Sequence, residues 1–177
     1  MCRRATGTPI VVAIARKLSG EESDTEILLS WYHTSQRDMP GKDGLLHTST
    51  SEAVTNNVRV EVESQYAPEH SQPFQSQWFF YYTIRITNEG SGTVQLLSRH
   101  WIITDACGHI EEVRGRGVVG QQPVLASGEG FQYTSGCPLR TSTGMMHGTY
   151  QMIVTESGEH FDIEIAPFAL HEPYTVH

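Results

Sequence analysis

The sequence predicts an antiparallel β-sandwich of the immunoglobulin or fibronectin III type, with seven or eight strands over residues 58–170. From residue 58 onward, apolar residues recur with period two, as they do on half-buried strands. Turn-forming residues separate these runs at 88–92, 105–108 and 156–158. The sequence between the predicted strands shows no helical pattern. Parallel strands need long crossover connections, usually helices, so this absence favours antiparallel strands. These observations favour a sandwich over a parallel α/β fold.

The first 55 residues are predicted to be an extension and linker, and residues 56–177 the sandwich domain. Met1–Lys17 is basic and lacks acids, which fits either an organelle-targeting segment or a short element packed on the domain. Glu21–His33 has apolar residues at helical spacing, which predicts a short amphipathic helix. Its Trp31 and Tyr32 are expected to contact the sandwich or a partner protein. Ser35–Asn57 is rich in turn-forming residues and is predicted to be a linker or long loop.

Within the domain, strands are predicted at residues 58–66, 78–87, 93–104, 109–113, 130–135, 149–155 and 160–165. The run that begins at Trp78 carries apolar residues on both faces, which is typical of a central strand covered on both sides. Phe79 and Tyr81 lie on the face opposite the predicted core. Aromatic residues in excess of what a core can absorb often mark a contact surface. Phe79 and Tyr81 therefore join Trp31 and Tyr32 as candidate protein-interaction residues.

The composition of the chain argues against several classes of function. The 177 residues carry a formal net charge of −8, which argues against non-specific attraction to nucleic acids or anionic membranes. No apolar run reaches the roughly 18 residues of a membrane span. The three cysteines follow no C-x-x-C spacing and are predicted to be free thiols in a reducing compartment. The expected location is intracellular, with cytoplasm and mitochondrion both open. The nine histidines form no H-x-x-x-H pair, so no metal site or cofactor is predicted.

A glycine-rich segment lies in the middle of the domain. It reads Gly115-x-Gly117-Val118-Val119-Gly120-x-Gln122-Pro123, then Gly128-Glu129-x-Phe131-x-Tyr133-Thr134-Ser135-Gly136. With Val94–Thr104 before it and the Gly148–Met152 and Phe161–Leu170 stretches after it, this segment resembles the ApaG domain family. The resemblance runs from Val58 to about His177, and it rests on the combination of these motifs.

The resemblance implies a fibronectin-like sandwich that serves as a binding module. The family includes stand-alone bacterial proteins linked to divalent-cation resistance. It also includes the C-terminal domains of some F-box proteins and of a polymerase-interacting protein of mitochondria and nucleus. The first 55 residues match none of the domains that accompany it there, so the expected architecture is a lone ApaG domain with its own N-terminal extension.

The spacing of three glycines, at 115, 117 and 120, also fits the G-x-G-x-x-G pattern of dinucleotide-binding loops. That function requires a helix after the loop, and Gln121-Gln122-Pro123 cannot begin one. The glycines are therefore predicted to serve turns between strands. An alternative stays open, in which two guanidinium groups and exposed amides bind a small anion or nucleotide phosphate. The candidate ligand-binding residues are Arg114, Gly115, Arg116, Gly117 and Gly120.

No catalytic constellation is apparent in the sequence. Ser135 and Cys137 have no histidine nearby in sequence that would activate them. Asp162 and Glu164 alternate along one strand face, where solvated acids are far commoner than catalytic pairs. The sequence therefore predicts a non-enzymatic module that binds protein partners, as an adaptor or as a subunit of a larger assembly. The alternative is a protein that binds a small anion or a nucleotide phosphate through the Arg-flanked glycine loop, either as a binding protein alone or as a phosphoanhydride hydrolase.

Overall fold

The computed structural model describes residues 14–18 and 48–173. These residues form ten strands: β1 (Ile14–Leu18), β2 (Ser49–Thr55), β3 (Val58–Tyr66), β4 (Trp78–Asn88), β5 (Val94–Asp105), β6 (Ile110–Arg116), β7 (Val124–Leu125), β8 (Gly130–Leu139), β9 (Thr143–Val154) and β10 (His160–His171). Two single-turn 3-10 helices, Pro68–His70 and Pro73–Gln75, lie in the loop between β3 and β4.

The strands form two antiparallel sheets. The first sheet has the order β1-β8-β4-β3-β2, and the second has the order β10-β9-β5-β6, with β7 also paired to β5. Eight of the described strands lie between residues 58 and 171. The predicted antiparallel sandwich and its strand number are confirmed, as are the turns after β4, β5 and β9.

The core lies between the two sheets and follows the period-two pattern. Val58, Val60 and Val62 of β3 are buried, while the residues between them are not. On the second sheet, Trp101 packs edge-on against the rings of Tyr150 and Phe168, at centroid distances of 6.2 and 6.1 Å. Large side chains whose relative solvent exposure is 2% or less include Phe80, Ile84, Ile86, Leu96, Phe131, Met146, Met152, Ile163 and Ile165.

The prediction of a linker through Asn57 is wrong for Ser49–Thr55, which forms β2 and pairs with β3 along its whole length. The serines of β2 explain why this strand resembles a loop in composition. Ser51 Oγ donates to the carbonyl of Ala166 on β10 at 3.0 Å, and Ser49 Oγ accepts from the amide of Ala169 at 3.1 Å. These hydroxyls join β2 to β10 where the two sheets meet, so they replace the apolar residues that a strand usually shows.

Other strands are longer than predicted. β6 continues to Arg116 because it pairs with β5 from Thr104 to Ser98, so residues 114–116 lie in a strand and not in a loop. β8 continues to Leu139, which places Cys137 inside the strand. Cys137 is a free, buried thiol as predicted, but Cys107 is disulfide-bonded, so the prediction of free thiols is wrong there. Cys107 lies in an exposed turn between β5 and β6.

Several predictions concern residues outside the described part of the chain. These are the helix at Glu21–His33 with its Trp31 and Tyr32, and most of the basic Met1–Lys17 segment. The described part contains no helix with the length and apolar character that crossing a membrane requires.

Candidate functional site

The glycine-rich segment forms the end of β6 and a two-residue turn. Val118 N–H donates to the carbonyl of Gln121, and Gln121 N–H donates back to the carbonyl of Val118, both at 2.8 Å. The two residues between them, Val119 and Gly120, have φ of +45° and +79°. A two-residue hairpin turn with positive φ at both central residues has the character of a type I′ turn. The prediction that these glycines serve a turn agrees with this geometry, and a strand, β7, follows the turn.

Two glycines of this segment allow close approaches that a side chain would prevent. Gly117 has φ of +59°, and a Cβ there would lie 2.2 Å from the carbonyl oxygen of Gln121. At Gly115, a Cβ would lie 3.0 Å from Nη1 of Arg99, whose guanidinium group covers this part of β6. Arg99 Nη1 donates to the carbonyl of Gly117 at 2.7 Å and more weakly to that of Arg116 at 3.3 Å. Both glycines therefore have a structural role.

The two arginines of the predicted anion site lie two residues apart on β6, so they share a face of the strand. Each of them has a polar side chain beside it. Glu112 accepts from Arg114 Nη2 at 3.5 Å and lies 2.8 Å from Nε2 of His100. Hydrogen bonding to His100, and then to Arg114, lowers the pKa of Glu112. Arg116 Nε donates to the side chain of Gln122 at 3.1 Å. Arg114 nevertheless stays largely exposed, with 72% of its side chain accessible.

An anion nest also needs free backbone amides. The amide of Gly117 donates to the carbonyl of Leu97 at 2.8 Å, and the amide of Val118 is used in the turn. The structure thus brings Arg114 and Arg116 to one face but commits two of the amides beside them to internal hydrogen bonds.

Ser135 and Cys137, the two candidate nucleophiles of the sequence, are both buried. Burial raises the pKa of Cys137 to about 12, so its reactive thiolate form is scarce near neutral pH. Tyr133 and Tyr150 share a hydrogen bond of 2.6 Å between their hydroxyls, and burial raises both pKa values. Among the described residues, no group of three histidine, cysteine or acidic side chains is arranged to hold a metal ion. These groups contribute to the core and present no reactive atom to solvent.

Phe79 and Tyr81, the predicted interaction residues, lie together on the outer face of the first sheet. Their rings meet edge to face at 5.4 Å, and the ring of His70 lies 5.7 Å from each of them. The Phe79 ring fills the space above Gly136, where a Cβ would lie 2.2 Å from ring atom Cζ. Sequence reasoning missed His70 because it belongs to the loop between β3 and β4 rather than to a strand.

The same loop presents Phe74 to solvent, with a relative exposure of 106%. The loop is closed by its own backbone hydrogen bonds: Gln72 and Gln77 pair with each other, and Ser76 N–H donates to the carbonyl of Pro73 at 2.9 Å. At the base of the loop, Ser71 Oγ accepts from the amide of Phe79 at 2.9 Å. Sequence reasoning missed Phe74 too, although a lone aromatic residue between proline and polar residues was the available signal.

Replacement of Gly117 by alanine is expected to destabilise the protein by about 3–5 kcal/mol, because both the backbone angle and the contact with the Gln121 carbonyl oppose a side chain. Gly120→Ala is the matched control, since it has the same sign of φ but nothing within 4 Å of its Cβ. It should cost only about 1–2 kcal/mol. Urea unfolding of both variants measures the difference, and equal losses would contradict the structural role of Gly117.

Comparison with known proteins agrees with this fold. The family model of the ApaG domain matches residues 68–154. Protein ApaG of Rhodopseudomonas palustris (strain TIE-1) is 56% identical over 121 residues, which are 68% of this chain and 92% of the relative. Protein ApaG of Bordetella pertussis (strain Tohama I) is 55% identical over the same shares. A crystal structure described as the putative ApaA protein from Bordetella pertussis has a TM-score of 0.65 and 53% identity, and it covers 70% of this chain and 100% of the other. The chain therefore belongs to the ApaG domain family.

Proposed function

We propose that this protein is a non-enzymatic module that binds a protein partner through an aromatic surface formed by His70, Phe74, Phe79 and Tyr81. The observation that carries the proposal is Phe74, a fully exposed phenylalanine at the tip of a hydrogen-bonded loop. Leaving a whole aromatic ring in water forgoes about 1.5–3 kcal/mol of burial free energy. A partner that covers the ring recovers this free energy.

The backbone hydrogen bonds that close the loop support the same proposal. Binding costs about 0.5–1.5 kcal/mol for each side chain that becomes immobilised, and a preformed backbone lowers the total cost. The loop carries short 3-10 helices on either side of Ser71 and Gln72, so its backbone is already ordered. Beside it, the edge-to-face packing of Phe79 and Tyr81 holds a second aromatic contact in place. Rigid aromatic anchors of this kind dominate the binding energy of many protein interfaces.

The non-enzymatic part of the proposal rests on the burial or solvent exposure of the candidate catalytic side chains. The thiol of Cys137 and the hydroxyls of Tyr133 and Tyr150 are buried in the core. Asp162 and Glu164 are exposed on β10, where solvated acids are common. An intracellular setting, expected from the sequence, is also part of this proposal.

A second candidate function is the binding of a small anion or nucleotide phosphate at β6. The observation in its favour is that Arg114 and Arg116 project from one face of the strand, with Arg114 largely exposed. The amides of Gly117 and Val118 weigh against it, since both are already hydrogen-bonded. We therefore rank it below protein binding.

Substitution of Phe74 by alanine should weaken partner binding by about 2 kcal/mol, or roughly 30-fold, without changing stability. Its side chain touches solvent only, so thermal unfolding should be unchanged. The measurement is quantitative co-purification from cells that express the full chain, with wild type and variant compared by mass spectrometry. Val54→Ala is the matched control, since Val54 is apolar, 49% exposed and outside the aromatic surface. Identical partner recovery from wild type, Phe74→Ala and Val54→Ala would refute the proposed surface.

Calorimetric titration with pyrophosphate tests the second candidate. We expect no heat of binding at millimolar pyrophosphate, either from wild type or from the double variant Arg114→Ala, Arg116→Ala. A binding heat from wild type that the double variant loses would establish the anion site and reverse our ranking of the two functions.

A further inference from the structure

β6 is an edge strand of the second sheet. It pairs with β5 from Thr104 to Ser98, and no strand of the described residues pairs with its other side. The opposite edge of this sheet, β10, is interrupted by a bulge between Ile165 and Phe168 and is bonded to β2 by serine side chains. β6 has neither a proline nor a bulge, and all seven of its residues are exposed or half-buried. A regular strand edge of this kind is a template for pairing with another strand.

The hydrogen bonds beside β6 establish which of its backbone groups face outward. The amide of Gly117 donates to the carbonyl of Leu97 on β5, and backbone groups alternate in direction along an antiparallel strand. The odd-numbered residues of β6 therefore face β5. Among the described residues, only Arg99 reaches a backbone group on the other side, through the carbonyl of Arg116 at 3.3 Å. The amides on this free edge of β6 are those of residues 110, 112, 114 and 116.

The side chains along the free edge carry both signs of charge. On the outer face of the second sheet they follow the order Ile110, Glu112, Arg114, Arg116. Arg114 Nη2 lies 3.5 Å from Oε2 of Glu112, yet both side chains stay largely exposed, at 72% and 55%. An acid and a base at adjacent positions on one face are thus available to a neighbouring strand.

A second copy of β6 fits this order of charges when the two strands run antiparallel about a twofold axis at Val113. In that register, Glu112 of each copy lies opposite Arg114 of the other. Ile110 then lies opposite Arg116, whose aliphatic stem can cover it. Opposite charges directly across an antiparallel pair stabilise it, and like charges destabilise it. A twofold axis at Glu112 or at Arg114 places two like charges face to face, so the axis at Val113 is favoured.

The backbone and the inner face of β6 are compatible with the same register. Pairing about Val113 joins even-numbered residues to even-numbered residues, so the outward groups meet in about eight hydrogen bonds. Val113 is half-buried, packs against the core and meets its own copy at the axis. Glu111 lies opposite Gly115, so like charges do not meet on the inner face either.

We propose that the free edge of β6 is a self-association surface, through which two copies of this chain form a twofold-symmetric dimer with one continuous sheet. Closed twofold symmetry is the commonest arrangement of homo-oligomers. A net charge of −8 on each chain opposes association, and strand pairing alone buries little surface, so the dimer is weak and depends on concentration. The surface is separate from Phe74 and does not depend on the aromatic surface.

Complementation between two charge variants of the full chain tests the register. Glu112→Arg opposes bases to bases in its own dimer, and Arg114→Glu opposes acids to acids. Each variant alone should therefore self-associate at least tenfold more weakly than wild type. An equimolar mixture of the two variants restores an arginine opposite a glutamate at both positions, so the mixture should associate about as tightly as wild type.

Sedimentation velocity from roughly 1 μM to 1 mM protein, the range of weak complexes, measures these affinities. Arg85→Glu is the matched control, since it makes the same charge change as Arg114→Glu but lies on β4 of the first sheet, and it should associate as wild type does. A wild-type chain that stays monomeric at the highest concentration would overturn the proposal. A mixture that associates no more tightly than either variant alone would also overturn it.

Amide exchange of the wild-type chain gives a readout that does not require a variant to fold. We expect exchange at residues 110, 112, 114 and 116 to slow as the protein concentration rises. Exchange at residues 111, 113 and 115 should not change, because their amides already face β5. Rates that are independent of concentration, or that slow equally at all seven residues, contradict the proposal. Phe74→Ala should leave self-association unchanged, so this proposal and the aromatic surface can fail separately.

Discussion

The left-handed backbone at Gly117, Val119 and Gly120 is the constraint on which the edge of the second sheet depends. β6 ends at Arg116, and Val118, two residues later, is buried in the core. The chain must turn sharply here so that β7 can pair with β5. β7 then buries Leu125, whose carbonyl accepts from the buried side chain of Asn88 at 3.0 Å. The crossing from the second sheet back to β8 in the first sheet thus depends on a turn that only glycine at 117 allows.

This constraint separates the structural glycines from the aromatic surface. Residues 115–123 of the glycine-rich segment lie along the edge of the second sheet, whereas the aromatic surface lies on β4 of the first sheet and on the loop between β3 and β4. Gly136 contributes to the aromatic surface from β8. Its missing side chain makes room for the Phe79 ring on the outer face of the first sheet.

Much of the sandwich could be predicted from the sequence because burial on one face leaves a period-two pattern. Val58, Val60 and Val62 illustrate this, and so do the turns that end β4 and β5. β2 was missed because its serines bond the backbone of β10, which makes a strand resemble a loop in composition. Residues 114–116 were predicted to lie in a loop because their partners on β5 are distant in sequence, and the local sequence pattern does not reveal this pairing. Phe74 was missed because its exposure depends on how the surrounding loop folds. A loop has no periodic pattern from which the exposure of one residue can be predicted.

Amide exchange measured residue by residue with NMR tests most directly whether residues 117–121 form a turn rather than a ligand site. We expect slow exchange at Gly117, Val118 and Gln121, whose amides are hydrogen-bonded within the protein, with rates unchanged by millimolar pyrophosphate. Fast exchange at these three amides in the free protein, slowed when pyrophosphate is added, would contradict it.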